Sequence, residues 1–143
     1  MSMGAPTNAF VFRRAVRFDE IDAAGFVFYA KLVALAHEGL ERMLEAALPG
    51  GYARFVVERR IGLPCVHLEA DFSGALRFGD AMEVAMRVAR FGRSSVAFDV
   101  RVSRGDGAQC AKLAYVVACS DLTVPKSVAL PDDLRAALAQ HAS

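Results

Sequence analysis

Between Pro64 and Ser120 the chain alternates apolar and polar residues and turns back on itself three times. In Pro64–Phe78, Val66, Leu68, Ala70, Phe72, Leu76 and Phe78 share one face, and His67, Glu69, Asp71 and Ser73 the other. In Ala81–Phe91, Met82, Val84, Met86 and Val88 alternate with Glu83 and Arg87. In Ser95–Arg104, Val96, Phe98, Val100 and Val102 alternate with Asp99, Arg101 and Ser103. Gly79-Asp80, Gly92-Arg93 and Gly105-Asp106-Gly107 divide the runs. A period of two broken by short glycine turns dictates an antiparallel sheet. Ala108–Ser120 is apolar on both faces, which suits a central strand or one at a subunit contact.

The stretch before these runs has another period. From Phe28 to Ala47, Phe28, Leu32, Leu35, Ala36, Leu40, Met43 and Ala47 fall in one broad arc, opposite Lys31, Glu38, Glu41, Arg42 and Glu45. This predicts a long amphipathic helix. Gly39, which costs about 1 kcal/mol in a helix interior, lies in the middle of the apolar arc and implies close backbone packing against a sheet. Pro49-Gly50-Gly51 ends the helix. Tyr52–Arg60 reads equally as a short helix or an irregular connector.

Phe10–Phe18 reads as a strand with Phe10, Phe12, Val16 and Phe18 inward and Arg14 the one lapse. Pro131-Asp132-Asp133 opens a short C-terminal helix. One long central helix wrapped by a curved antiparallel sheet satisfies every apolar face, so the fold class is α+β. The 143 residues suit one domain over residues 9–143, behind a disordered leader at 1–8.

Several function classes find no support. A net charge of +1 offers nucleic acid no basic surface. No apolar run approaches the roughly 18 residues of a membrane span. Cys65, Cys110 and Cys119 are far apart in apolar runs and read as buried reduced thiols of a cytoplasmic protein. No His, Cys or carboxylate cluster has metal-ligand spacing. There is neither a P-loop nor a Gly-x-Ser-x-Gly turn. At 55% apolar content, part of the surface is expected to be covered by another subunit.

The chemistry concentrates between the first strand and the long helix, in Asp19-Glu20-Ile21-Asp22-Ala23-Ala24-Gly25. A carboxylate where a helix begins sits beside free backbone N–H groups able to polarise a carbonyl. Taken alone, Asp22 is most simply a turn or N-cap residue. Gly25 allows close backbone approach to a ligand, and the committed apolar face of the helix aims its N-terminus at whatever Asp22 attacks. His37 falls at the border of the helix's two arcs and reads first as a hydrogen-bonded boundary residue. Arg90, Arg93, Ser94 and Ser95 flank the turn at Gly92, as either a solvated hairpin or a phosphate-binding rim.

Asp22-Ala23-Ala24-Gly25-Phe26-Val27-Phe28-Tyr29 resembles the Asp-x-x-Gly-(hydrophobic)3-Tyr/His signature of hotdog-fold acyl-CoA thioesterases, in the 4-hydroxybenzoyl-CoA thioesterase-like branch. The resemblance continues through Val56-Val57-Glu58-Arg59, Gly62-Leu63-Pro64, Phe78-Gly79-Asp80 and Arg93-Ser94-Ser95. It implies that Asp22 is the nucleophile or general base and that the Tyr29 backbone N–H polarises the thioester oxygen. An apolar acyl pocket is expected at Gly25, Phe26, Phe28 and Leu63-Pro64-Cys65. Coenzyme A phosphates are expected at Arg90, Arg93, Ser94 and Ser95. Coenzyme A would then be part of the substrate, with no separate cofactor and no metal. The resemblance further implies a homodimer or homotetramer with sites at the subunit interface, and neither a nucleic-acid nor a membrane partner. His37 stands where relatives commonly have an acid. A hydratase or dehydratase on the same fold would use a His with a carboxylate, but His37 and Glu38 project from different faces of the helix. A non-catalytic acyl-CoA-binding domain would have no need of Asp22.

Overall fold

The computed structural model describes residues 8–142. The expected leader falls outside these residues except for Asn8, whose carbonyl accepts from His141 Nδ1 at 2.8 Å. The elements in chain order are β1 (Phe10–Ala15), a 3-10 turn (Phe18–Glu20), α1 (Tyr29–Ala47), α2 (Gly51–Val57), β2 (Ile61–Gly62), β3 (Cys65–Phe72), β4 (Ala81–Phe91), β5 (Ser95–Arg104), β6 (Gln109–Ala118), β7 (Ser120–Asp121), β8 (Lys126–Ser127) and α3 (Asp132–Ala139). Tyr52–Arg60, which the sequence pattern left open, begins within α2.

The main sheet has the order β1-β4-β5-β6-β3, antiparallel throughout. Its register puts the inward residues in rows, Met86 opposite Val100 and Val84 opposite Val102. Across that face lies α1, burying Leu32, Leu35, Ala36, Leu40, Met43 and Leu44. A Cβ added at Gly39 would meet Met86 Sδ at 2.8 Å, so the absence of a side chain lets helix and sheet close together. A small sheet, β2-β7-β8, closes one end.

Four expectations fail at the rims. Phe18 does not continue the buried face of β1: the strand ends at Ala15, and the 3-10 turn leaves Phe18 76% exposed against Phe78. Phe28 precedes α1 as its N-cap residue and is exposed rather than part of the apolar arc. The run from Pro64 is a strand only to Phe72, because Ser73 and Gly74 N–H both turn onto Cys110 O. Cys65 is exposed, while Cys110 and Cys119 are buried and free.

The exposure of Cys65 is part of a wider one along β3. Among the described residues β3 is hydrogen-bonded to β6 alone, so its other edge is open. Val66, Leu68 and Phe72, expected to be inward, are consequently exposed. Among the described residues no helix is long and apolar enough to cross a membrane.

Candidate active site

Residues 20–28 form a small closed loop joining β1 to α1. Phe28 N–H donates to Glu20 O at 2.9 Å, and Asp22 N–H to Phe26 O at 3.0 Å. An Ile21–Val27 bridge lies between these bonds. Gly25 N–H returns to Asp22 O at 3.0 Å with Gly25 at φ +89°, a conformation that favours glycine. Nothing lies within 4 Å of a Cβ built at Gly25, so the space beside the loop is open. Val27 N–H, bonded to Leu76 O at 2.8 Å, ties the loop to the segment before β4.

Within this loop the Asp22 carboxylate is exposed and accepts one hydrogen bond, from Ala24 N–H at 2.9 Å. The loop then runs into α1, whose N-terminus no side chain caps. The N–H groups of Tyr29 and Ala30 belong to the first turn and have no intrahelical acceptor. An exposed carboxylate thus stands on the loop that leads into the first-turn N–H groups at the positive end of a helix dipole. That pair can attack, or direct water at, a carbonyl carbon while withdrawing charge from its oxygen.

A cavity of about 470 Å³ lies between α1 and the open edge of the sheet. Its walls are mostly apolar and include Val33, Leu63, Pro64, Cys65 and Leu68, with His37, Tyr52 and Tyr115 as polar groups. His37 Nδ1 is 3.4 Å from Tyr115 Oη, and its Nε2 is 3.1 Å from Glu41 Oε2. Tyr52 Oη accepts from Leu63 N–H at 2.7 Å. Burial pushes both phenols above their ordinary pKa, so they remain protonated donors. The Tyr29 ring, edge-on to Phe72 at 6.3 Å, puts the start of α1 beside the end of β3.

The family model described as the thioesterase-like superfamily matches residues 16–138. The chain belongs to that superfamily. It is a thioester hydrolase with the hotdog fold. A 1,4-dihydroxy-2-naphthoyl-CoA hydrolase of Synechococcus elongatus is 36% identical over 93 residues, 64% of this chain and 68% of that protein. A solved structure from the thioesterase superfamily of Jannaschia sp. CCS1 matches with a TM-score of 0.87 at 26% identity, covering 100% of this chain and 99% of the other. A 1,4-dihydroxy-2-naphthoyl-CoA thioesterase of Synechocystis shares the fold, with a TM-score of 0.83 at 22% identity over 92% of this chain and 96% of its own.

This thioesterase-like chain gathers Asp22, Gly25 and Tyr29 in one loop and helix start, and Leu63 and Pro64 in the cavity wall. Phe26 and Phe28 do not line that cavity. Phe26 lies under the Arg77 guanidinium at 4.8 Å, and Phe28 stands edge-on to Tyr29 at 4.8 Å. Arg90, Arg93, Ser94 and Ser95 sit at the far end of β4 and β5 from the Asp22 loop, roughly 30 Å along the strands. There the turn is pinned through its backbone: Arg135 Nη2 donates to Gly92 O at 2.7 Å and Leu130 N–H to Arg93 O at 3.0 Å, while the Arg93 side chain stays exposed.

Sequence reasoning missed Tyr52 and Tyr115 as polar groups of the cavity, because in sequence each is one aromatic among apolar neighbours. It also placed Glu20 simply in the turn. Glu20 is 8% exposed and paired with Arg14, and the interruption of the β1 pattern at Arg14 was the available signal.

Proposed function

We propose that the chain hydrolyses an acyl-CoA thioester carrying a hydroxylated aromatic acyl group, with Asp22 as nucleophile or general base and the Tyr29 N–H polarising the carbonyl. The observation that carries this reading is the Asp22 carboxylate on the loop that opens directly into an uncapped helix N-terminus. From Tyr29 to His37 the helix advances about 12 Å, enough for one or two fused rings between the reacting carbonyl and the polar groups of the cavity. Tyr115, Tyr52 and His37 offer a ring hydroxyl hydrogen bonds within otherwise apolar walls. The activity named for the cyanobacterial relatives favours a dihydroxynaphthoyl group, and 4-hydroxybenzoyl-CoA is the smaller candidate.

In this reading the site is completed by a second copy of the chain. The start of β3 lies at the Arg93 end of the sheet, through Cys65 opposite Val117 and Val117 opposite Val96, and the end of β3 lies at the Asp22 end. Antiparallel pairing of two β3 edges about a two-fold axis brings Arg90, Arg93, Ser94 and Ser95 of one copy toward the Asp22 loop of the other, where they would hold coenzyme A phosphates. It also covers Val66, Leu68 and Phe72. The assembly is a homodimer, or a homotetramer of two such dimers. The free buried thiols suit the cytoplasm.

Free-thiol release measured over a panel of aromatic and aliphatic acyl-CoAs tests the reading. Hydroxylated aryl thioesters should have the highest kcat/KM, and Asp22→Asn should remove at least ~10³ of kcat with folding intact. Near-normal turnover by Asp22→Asn would exclude Asp22 as the catalytic group.

A further inference from the structure

The inward side of β1 and of the residue after it should be apolar at every second position, as it is at Phe12 and Val16, yet Arg14 occupies the position between them. All five guanidinium N–H groups of Arg14 are used. Nη1 and Nη2 bind Glu20 Oε1 and Oε2 at 2.9 and 2.7 Å. Nε and Nη2 bind Glu38 Oε2 and Oε1 at 3.0 and 2.9 Å, and Nη1 also reaches Ala15 O at 3.1 Å. Two carboxylates from different elements therefore close on one planar fork, with β1, the loop before α1 and α1 itself meeting at a point. Arg42 Nε also donates to Glu38 Oε2, at 3.0 Å.

The position of Glu20 decides what this arrangement does. Its Oε1 accepts Arg17 N–H at 2.8 Å, and its carbonyl accepts the N–H of Phe28, the N-cap residue of α1. Asp22 and Tyr29 lie just inside and just outside that Glu20–Phe28 closure. Strand and helix do not need Arg14 to stay together, since Phe12, Gly39 and Met86 already pack between them. A buried ion pair adds little net stability over apolar residues of the same volume, so its charges are better explained by a geometry they enforce.

We infer that Arg14 is a positioning residue for the hydrolysis, fixing the Asp22 loop to the central helix through Glu20 and Glu38. The inference rests on the reading of Asp22 given above. Lysine cannot replace it, because an ammonium is a point charge without the fork that serves two carboxylates at once.

Arg14→Lys and Glu20→Gln, the second nearly isosteric, are compared with the unaltered chain by hydrogen exchange and by hydrolysis of benzoyl-CoA. Amides of residues 21–29 should exchange at least ~10-fold faster in both variants while those of β4, β5 and β6 keep their protection. In the same variants kcat should fall ~10-fold or more with KM within about twofold, the result expected from a misplaced reacting group. Unchanged exchange in 21–29, equal acceleration throughout the sheet, or an unchanged kcat would overturn the inference. Asp22→Asn separates the two readings: it should leave exchange unaltered and abolish turnover. If that variant hydrolyses benzoyl-CoA normally, the catalytic reading fails, and with it the positioning role, whereas a failure in the Arg14 variants alone leaves Asp22 in place.

Discussion

The two ends of the main sheet are built on different plans. At one end the Asp22 loop, held by its own backbone bonds and by Arg14, presents an exposed carboxylate beside an uncapped helix. At the other, the turn at Gly92 is held through backbone carbonyls by Arg135, Leu130 and Cys119, and its arginine side chains reach into solvent. One end has a group that can react; the other has groups that can bind an anion. Roughly 30 Å of strand separates them, which is the reason the proposed site draws the two from different copies of the chain.

The difference gives each end its own kinetic signature. Arg93→Ala should raise KM for an acyl-CoA ~10-fold, the scale of one charge-assisted hydrogen bond, and leave kcat unchanged. With an acyl-pantetheine thioester, which lacks the nucleotide phosphates, the same variant should match the unaltered chain. A fall in kcat would place Arg93 among the reacting groups and erase the contrast.

Acid should also act on the two ends unequally. The Arg14 hydrogen bond holds the Glu20 carboxyl below its ordinary value. For Glu38, burial pushes upward, but the bonds and charges of Arg14 and Arg42 outweigh it and the net direction is down. Carboxyls with depressed folded pKa values stabilise the fold above the unfolded value of 4.5 and lose that contribution as pH falls through the folded values. Melting temperature should therefore be level from neutrality to about pH 5 and fall below pH 4.5, by roughly 3–4 °C for each ~1 kcal/mol lost. Glu20→Gln and Glu38→Gln should flatten that slope. Asp133→Asn should barely alter it, because the Arg59–Asp133 pair, although only 2.6 Å long, is half exposed and screened by water. Thermal melts across pH decide this, and equal flattening by all three variants would contradict it.

The smallest effect is expected at Tyr29. If its backbone N–H matters and its phenol does not, Tyr29→Phe keeps kcat and KM within about twofold. A tenfold loss in a kinetic assay would transfer the role to the hydroxyl.

The sequence was most informative where one face of an element is buried and the other wet. The expected bounds of β4 and β5 match the observed ones residue for residue, because alternation runs from Met82 to Val88, short of the irregularity between Val88 and Arg90, and from Val96 to Ser103, and glycine turns punctuate it. The helix likewise starts within one residue of its expected position. Reading failed where exposure depends on an absent neighbour. Cys65, Val66, Leu68 and Phe72 have the pattern of a core strand, and nothing local reveals that β3 is an edge. Phe18 and Phe28 look apolar and inward until a 3-10 turn and an N-cap set their directions. That Asp22, Gly25 and Tyr29 share one loop and helix start was legible because they are close in sequence. The meeting of Arg14, Glu20 and Glu38 depends on tertiary folding, and only the misplaced charge at Arg14 hinted at it.

The central claim, that each site combines Asp22 of one copy with Arg93 of another, is tested most directly by mixing lesions. Asp22→Asn and Arg93→Ala chains carrying different tags are co-expressed, and the mixed dimer is purified on both tags and assayed well below KM. If the site is shared between copies, one of the two sites in the mixed dimer is intact and activity should be about half that of the unaltered dimer. If each site lies within a single copy, the only working site lacks Arg93, and activity should be about one twentieth.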